Sequence, residues 1–321
     1  MCTAISLYDK NHYFGRNLDF HYDFGENVAV TPRNYPFLFK NGTKISCHYA
    51  IIGTALVKKD YPLYFDAVNE KGLGIAGLYF PQNAVYNKVR FDKTNIASFE
   101  LIPWILSQSK TVEDAKKLLK DINITDEAFS EEMRPSPLHW MIADKQKSIT
   151  LEQTNKGINV YENPVGVLTN NPDFETQMLN LVNYMHLSTE EPCNKFCKNL
   201  ILTPYSRGMG AIGLPGDNSS MSRFVRAGFI KSNSVSGSSE EEKVNQFFHI
   251  LYSVYQQRGA VKFDGAFEIT HYTSCINATK GIYYYTTYNN TTINAVDMYK
   301  ENLNLDRIIS YEMKKKGNIL F

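Results

Sequence analysis

Cysteine is scarce in this sequence, and where it stands matters more than how often. Cys2, Cys47, Cys193, Cys197 and Cys275 are odd in number and scattered, which excludes a disulfide framework and suits a reducing compartment. Cys193 and Cys197 lie four apart in "PCNKFCKN", but no second Cys/His pair of matching spacing accompanies them, so no metal is expected. An excess of charge is missing as well. The 34 basic and 33 acidic side chains leave +1, too little to draw a polyanion, and "EMKKKGN" reads as a solvated tail. Nucleic acid is therefore not an expected partner. No apolar run approaches the roughly 20 residues of a membrane span. Asp9, Lys10 and Asn11 interrupt the first stretch before it can serve as a secretory signal, so a cytoplasmic protein without a membrane partner is expected. Internal repeats and low-complexity linkers are absent too. One domain over residues 1–321 is the expectation, long enough for a substantial core.

What is present in quantity is aromatic and β-branched. With 21 Tyr and 19 Phe, segments such as "HYAIIGTALV", "KSITLEQ", "GINVYEN", "FEITHYTSCI" and "GIYYYTTY" read as short strands. Two hairpins are predicted, one turning at Asn155-Lys156-Gly157 and one near Asn289-Asn290. Helices interrupt in four places. Ser239 and Glu242 form a capping box ahead of the stripe Val244, Phe247, Phe248, Leu251, Val254 and Tyr255, with Gly259 as the stop. Thr111 starts a second helix with Val112, Ala115, Leu118, Leu119 and Ile122 on one face. "ASFELIPWILSQ", bent or started by Pro103, and "MSRFVRAGFIK" are the others. Strands in runs with helices between them predict a layered α+β fold.

Two motifs mislead. "GMGAIG" matches the dinucleotide fingerprint, which works only between a strand and a helix; polar "TPYSR" precedes it and "LPGDN" follows, so no nucleotide cofactor is expected. "SQSK" matches a serine β-lactamase element without its downstream partners and reads as a helix end.

The chemistry concentrates at the start, in "MCTAISLYDKNHYFGRNLDF". Initiator methionine is usually trimmed before a small residue, which exposes a thiol and an α-amine together on Cys2. Reference pKa values of about 7.7–8.0 for the amine and 8.5 for the thiol let the amine accept the thiol's proton near neutral pH. A nearby Arg16 favours the thiolate, and Asp19 can fix the amine's direction. Taken singly, these residues read as an inconsequential cysteine and a surface ion pair. Their combination points to a nucleophile.

Further stretches, "VTPRNYPF", "NEKGLGIAGLYFP", "SPLHWMIAD", "NPVGVLTNNP", "YSRGMGAIGLPGDNSSMSRFVRA" and "KGIYYYTTYNNTTINAVDM", closely resemble the choloylglycine hydrolase family. That family comprises bile salt hydrolases and penicillin V acylases, N-terminal-nucleophile amidases. The resemblance runs in order from the first residue to about Asp306. It implies a four-layer αββα fold of two mainly antiparallel sheets between helical layers. It also implies Cys2 as nucleophile and its amine as base, flanked by Arg16 and Asp19, with Arg223 completing the charged set. The oxyanion hole it implies is the Asn170 side-chain amide plus the backbone N–H of Tyr79. One preorganised donor of this kind is worth about 2.7–4 kcal/mol.

Tyr79 departs from the bile-salt branch, where asparagine is common, toward the penicillin acylases. The likeness of "YSRGMGAIGLPGDNSSMSRFV" and "PLHWMIAD" to the bile-salt branch places glycine- and taurine-conjugated bile salts first and penicillin V second. A non-catalytic binding protein, with Met1 retained, is the remoter alternative. By alignment Leu18, Phe24, Phe129 and Met133 fall where wall residues lie, although Phe129 and Met133 read equally as core. Arg207, in "YSRG", reads either as a contact for an anionic tail or as a plain surface arginine. No cofactor is implied, and the family suggests a homotetramer.

Overall fold

Strand patterning resolves into two large sheets in the computed structural model, which describes residues 1–317 and Ile319. In chain order their strands are β1 (Cys2–Asp9), β2 (Asn11–Phe20), β3 (Asn27–Thr31), β4 (Ile51–Lys58), β5 (Tyr61–Asn69), β6 (Gly74–Tyr79) and β7 (Leu138–Ala143). They continue with β8 (Ser148–Thr154), β9 (Gly157–Glu162), β10 (Val167–Leu168), β11 (Ile269–Asn277), β12 (Ile282–Thr287), β13 (Asn290–Asp297) and β14 (Ile309–Glu312). One sheet runs β10-β1-β2-β11-β12-β13 and the other β9-β8-β7-β6-β5-β4-β3-β14, with antiparallel pairing throughout.

Helices cover the outer faces. α1 (Leu101–Gln108) and α2 (Val112–Leu119) pack on the eight-stranded sheet; α3 (Phe174–Leu181), α4 (Ser220–Ser232) and α5 (Glu240–Tyr252) lie on the other side, with α4 and α5 against β1, β2 and β11. This is the four-layer αββα arrangement. Between the sheets Phe14, Leu18, Val30, Val68, Ala76 and Met141 are fully or nearly fully buried, each large side chain contributing about 1.5–3 kcal/mol. The sheets touch closely at Gly74, where a Cβ would come within 2.7 Å of the Phe14 ring.

Local signals explain the element ends. Ser239 accepts from the Glu242 N–H and Glu242 reaches back, so the capping box forms; Thr111 accepts from the Asp114 N–H. Both hairpins form, turning at Asn155-Lys156 and at Tyr288-Asn289. Two expectations are corrected. α5 stops at Tyr252, so Val254 and Tyr255 follow the helix rather than continue its stripe; the Ser253 N–H already closes the last turn. Ile122 leaves the α2 face for a short strand, Ile122–Thr125, paired in parallel with Thr94–Ala97, as its alternating β-branched sequence allows.

Ser239→Ala should remove one cap bond and lower stability by about 1 kcal/mol. The expected result is a lower urea midpoint with an unchanged slope and unchanged turnover, measured by equilibrium unfolding and activity assay.

Candidate active site

Cys2 opens β1, and the two-residue period of a strand decides what it meets. Across the hairpin it lies opposite Leu18, and Ala4 lies opposite Arg16, so thiol and guanidinium share the face between the sheets. Asp19, three residues beyond Arg16, falls on the opposite face. There Thr270 donates to its Oδ1 at 2.6 Å, while its buried Oδ2 has no partner among the described residues. The spacing in "GRNLD" thus delivers a cation to one face and an anion to the other.

Arg16 is buried at 1% exposure and donates from Nη1 to the Phe65 carbonyl at 3.1 Å and the Gly77 carbonyl at 2.5 Å. Those carbonyls belong to β5 and β6, whose pairing ends at Asp66–Ala76. The guanidinium is therefore a wedge where two strands part. Burial alone would lower its pKa, but Cys2 first, then Tyr272, Asp66 and Asp19 reverse that and hold it raised. Asp66 accepts from Tyr272 (2.5 Å), Ser274 (3.0 Å) and Tyr283 (3.1 Å). Its pKa is raised by burial, against the pull of Arg16 and these hydroxyls.

On the helical side, Asn170 Oδ1 accepts from the Cys2 N–H at 2.8 Å and from Arg223 Nη2 at 2.7 Å, while its Nδ2 donates to the Tyr79 carbonyl at 2.6 Å. That leaves one amide hydrogen of Nδ2 uncommitted. Arg223, projecting from α4, also donates to the Cys2 carbonyl and to Thr3 Oγ1. Burial lowers its pKa while Asp19, Cys2 and Glu268 oppose that shift. The Phe80 N–H bonds back to Pro137, so in an antiparallel ladder the preceding Tyr79 N–H points away from β7, toward the gap that β5 has vacated. Met1 occupies the strand end. Its ammonium donates to the Asp19 carbonyl (2.7 Å) and pairs with Glu268 (3.2 Å), and its carbonyl accepts from the Asp19 N–H (3.0 Å).

The parting strands open a cavity of about 200 Å³, lined by Cys2, Arg16, Gly77 and Tyr79. Leu18, Phe24, Phe129 and Met133 all line it, so Phe129 and Met133 are wall rather than core. Phe65 and Gly77 escaped the reading of the sequence, because nothing local to them signals where two strands diverge. Asp66 and Tyr272 escaped it for the same reason. Arg207 stands exposed on an irregular segment and does not line the cavity. Cys193 and Cys197 are exposed and unpaired, and no cluster of three metal-ligating side chains occurs among the described residues.

Residues 2–311 match the family described as linear amide C–N hydrolases, choloylglycine hydrolase family. The chain belongs to the choloylglycine hydrolase family. It is 51% identical to the bile salt hydrolase/transferase of Lactiplantibacillus plantarum, over 99% of this chain and 98% of that one. It is 40% identical to the bile salt hydrolase/transferase of Clostridium perfringens, over 99% of both. A variant of the conjugated bile acid hydrolase from Clostridium perfringens superposes with a TM-score of 0.92 at 39% identity, covering 100% of this chain and 99% of that one. The penicillin V acylase of Agrobacterium tumefaciens, with a TM-score of 0.78 at 18% identity over 97% of this chain and 91% of that one, shares the fold. This choloylglycine hydrolase is accordingly a linear amide C–N hydrolase.

The electrostatics of its site carry a testable sign. Burial raises the pKa of Asp19, with the terminal ammonium and Arg223 opposing. The folded chain then binds that proton more tightly than the unfolded one, so Asp19 costs stability increasingly as pH rises above the ordinary carboxylate value of about 3.9. Asp19→Asn should abolish most amide hydrolysis yet raise the urea midpoint, with a larger gain at pH 7 than at pH 4. Unfolding curves of both proteins at the two pH values check this.

Proposed function

We propose that this chain hydrolyses the amide bond of glycine- and taurine-conjugated bile salts, with Cys2 as the nucleophile after removal of Met1. The observation that carries the reading is the junction of a thiol, a wedged guanidinium and two unspent amide donors at an apolar cavity. Loss of Met1 frees the Cys2 amine, whose nitrogen lies 2.8 Å from Asn170 Oδ1, while Asp19, paired with Met1 across the hairpin, keeps an Oδ2 without a partner among the described residues. The amine accepts the thiol proton and Arg16 balances the thiolate. Sulfur attacks the amide carbon, and the oxyanion takes hydrogen bonds from Asn170 Nδ2 and the Tyr79 N–H. As the C–N bond breaks, the amine returns its proton to the departing amino acid. Water then attacks the thioester, gives up a proton to the amine, and releases the bile acid.

Penicillin V is the second reading, favoured by one observation: the Tyr79 ring lines the cavity, edge-on to Phe20 at 6.3 Å. Side-by-side assays on glycocholate, taurocholate and penicillin V separate the two. Bile salts should lead in kcat/KM by about tenfold or more, a margin that pocket contacts alone can supply. The reverse order makes the chain a penicillin V acylase. Cys2→Ser should cost at least about 10³-fold in kcat with circular dichroism unchanged, and intact mass should show one methionine lost. An enzyme that keeps Met1 quantitatively and turns over nothing is the binding protein instead.

We also read the chain as one cytoplasmic domain assembling as a homotetramer. Support comes from the segment after α3, where Phe196, Ile201 and Tyr205 are 84%, 91% and 84% exposed. Light scattering should give four times the chain mass, and Phe196→Asp with Ile201→Asp should lower it. A monomeric wild type ends that reading.

A further inference from the structure

We propose that the buried, hydrogen-bonded pair of His139 and Glu152 positions Asn170, and with it the oxyanion hole, although neither residue lines the cavity. This rests on the role given to Asn170 above. His139 on β7 and Glu152 on β8 sit one step beyond the Trp140–Leu151 pair, on the face turned toward the other sheet. Their side chains are 1% and 0% exposed. The ring stacks flat on Phe80, centroids 4.1 Å apart and planes 4° from parallel, immediately after Tyr79. Its Nδ1 meets Glu152 Oε1 at 3.0 Å and its Nε2 meets the Thr169 carbonyl at 2.9 Å.

Proton bookkeeping places the hydrogens of the ring. The Thr169 carbonyl can only accept, so Nε2 carries a hydrogen. A hydrogen also lies between Nδ1 and Oε1, because two lone pairs facing each other at that distance repel. Oε1 accepts a second time, from the Phe174 N–H at the start of α3, at 3.1 Å. The other oxygen, Glu152 Oε2, is buried with no partner among the described residues. His139 thus donates from Nε2 to Thr169 and shares the Nδ1 hydrogen with Glu152.

The consequence falls on the neighbouring residue. Thr169 is held by its carbonyl to His139 and by its hydroxyl to Ser220, and the Asn170 N–H donates to Ser220 Oγ at 2.8 Å. Asn170 therefore hangs from a backbone fixed by one buried histidine, one serine and the Gln177 amide, which donates to the Asn170 carbonyl at 3.3 Å. Glu152 ties the same ring to the first turn of α3, so strand, turn and helix share one anchor. A buried pair that loses one partner leaves the other an unsatisfied polar group.

The test separates this positioning from mere packing. His139→Gln keeps a donor within reach of the Thr169 carbonyl, whereas His139→Asn reaches only Glu152. The Gln variant should keep most of kcat. The Asn variant should lose about 10- to 100-fold, the scale of a misplaced catalytic group, with KM within about threefold. Glu152→Leu, which frees the ring, is a second route to the same loss where the Asn variant does not fold. In an Asn170→Ala background, either change should cost less than about threefold more. Equal effects of Gln and Asn, or a full further loss without Asn170, overturn the proposal. If Asn170→Ala itself leaves kcat intact, it is the oxyanion reading that fails.

Discussion

A guanidinium donating to two main-chain carbonyls holds this site open. Strands left alone would continue to pair, and β5 and β6 do so only as far as Asp66 and Ala76. Beyond them Arg16 takes the two carbonyls that the ladder no longer uses. The gap it props becomes the cavity, the freed Tyr79 N–H becomes available to a ligand, and the charge that does the propping stands on the same face as the thiol. Cavity, donor and electrostatics thus share one cause.

Such an arrangement is costly to fold. Arg16, Arg223, Asp19 and Asp66 are each at 0 or 1% exposure. Each desolvated ion needs partners whose geometry leaves little slack, and Asp19 keeps an oxygen with none among the described residues. The apolar layers around them compensate, with both faces of the eight-stranded sheet covered, one by the other sheet and one by α1 and α2. Function is therefore concentrated where the fold is least comfortable, a pattern expected of sites that hold charge ready for chemistry.

How much was legible follows the range of the interactions. The caps at Thr111 and Ser239 and both hairpin turns depend on residues within a few positions, and they read directly from the sequence. The end of α5 and the departure of Ile122 depend on closures and pairings with distant segments, and they did not. Of the six residues singled out for chemistry, Cys2, Arg16 and Tyr79 line the cavity, Asn170 and Arg223 are hydrogen-bonded to Cys2, and Asp19 lies on the opposite face of β2. The fork between β5 and β6 had no signature, since a side chain on a strand of the other sheet creates it. Asp66 and His139 were invisible for a related reason: a lone acid or histidine in an apolar strand reads as a core residue until its partners are in place.

The paired position of Met1 sets an order of events in the life of the chain. An exopeptidase needs a free, extended terminus. In the folded hairpin, the first residue is locked to Asp19 through both backbone groups and its ammonium is engaged by Glu268. Once β1 and β2 have zipped, the scissile bond lies inside a sheet. On the proposed mechanism, trimming then belongs to the interval between the ribosome and hairpin closure, and maturation races folding: a chain that closes first keeps its methionine, with the Cys2 nitrogen left as a peptide nitrogen beside a buried thiol.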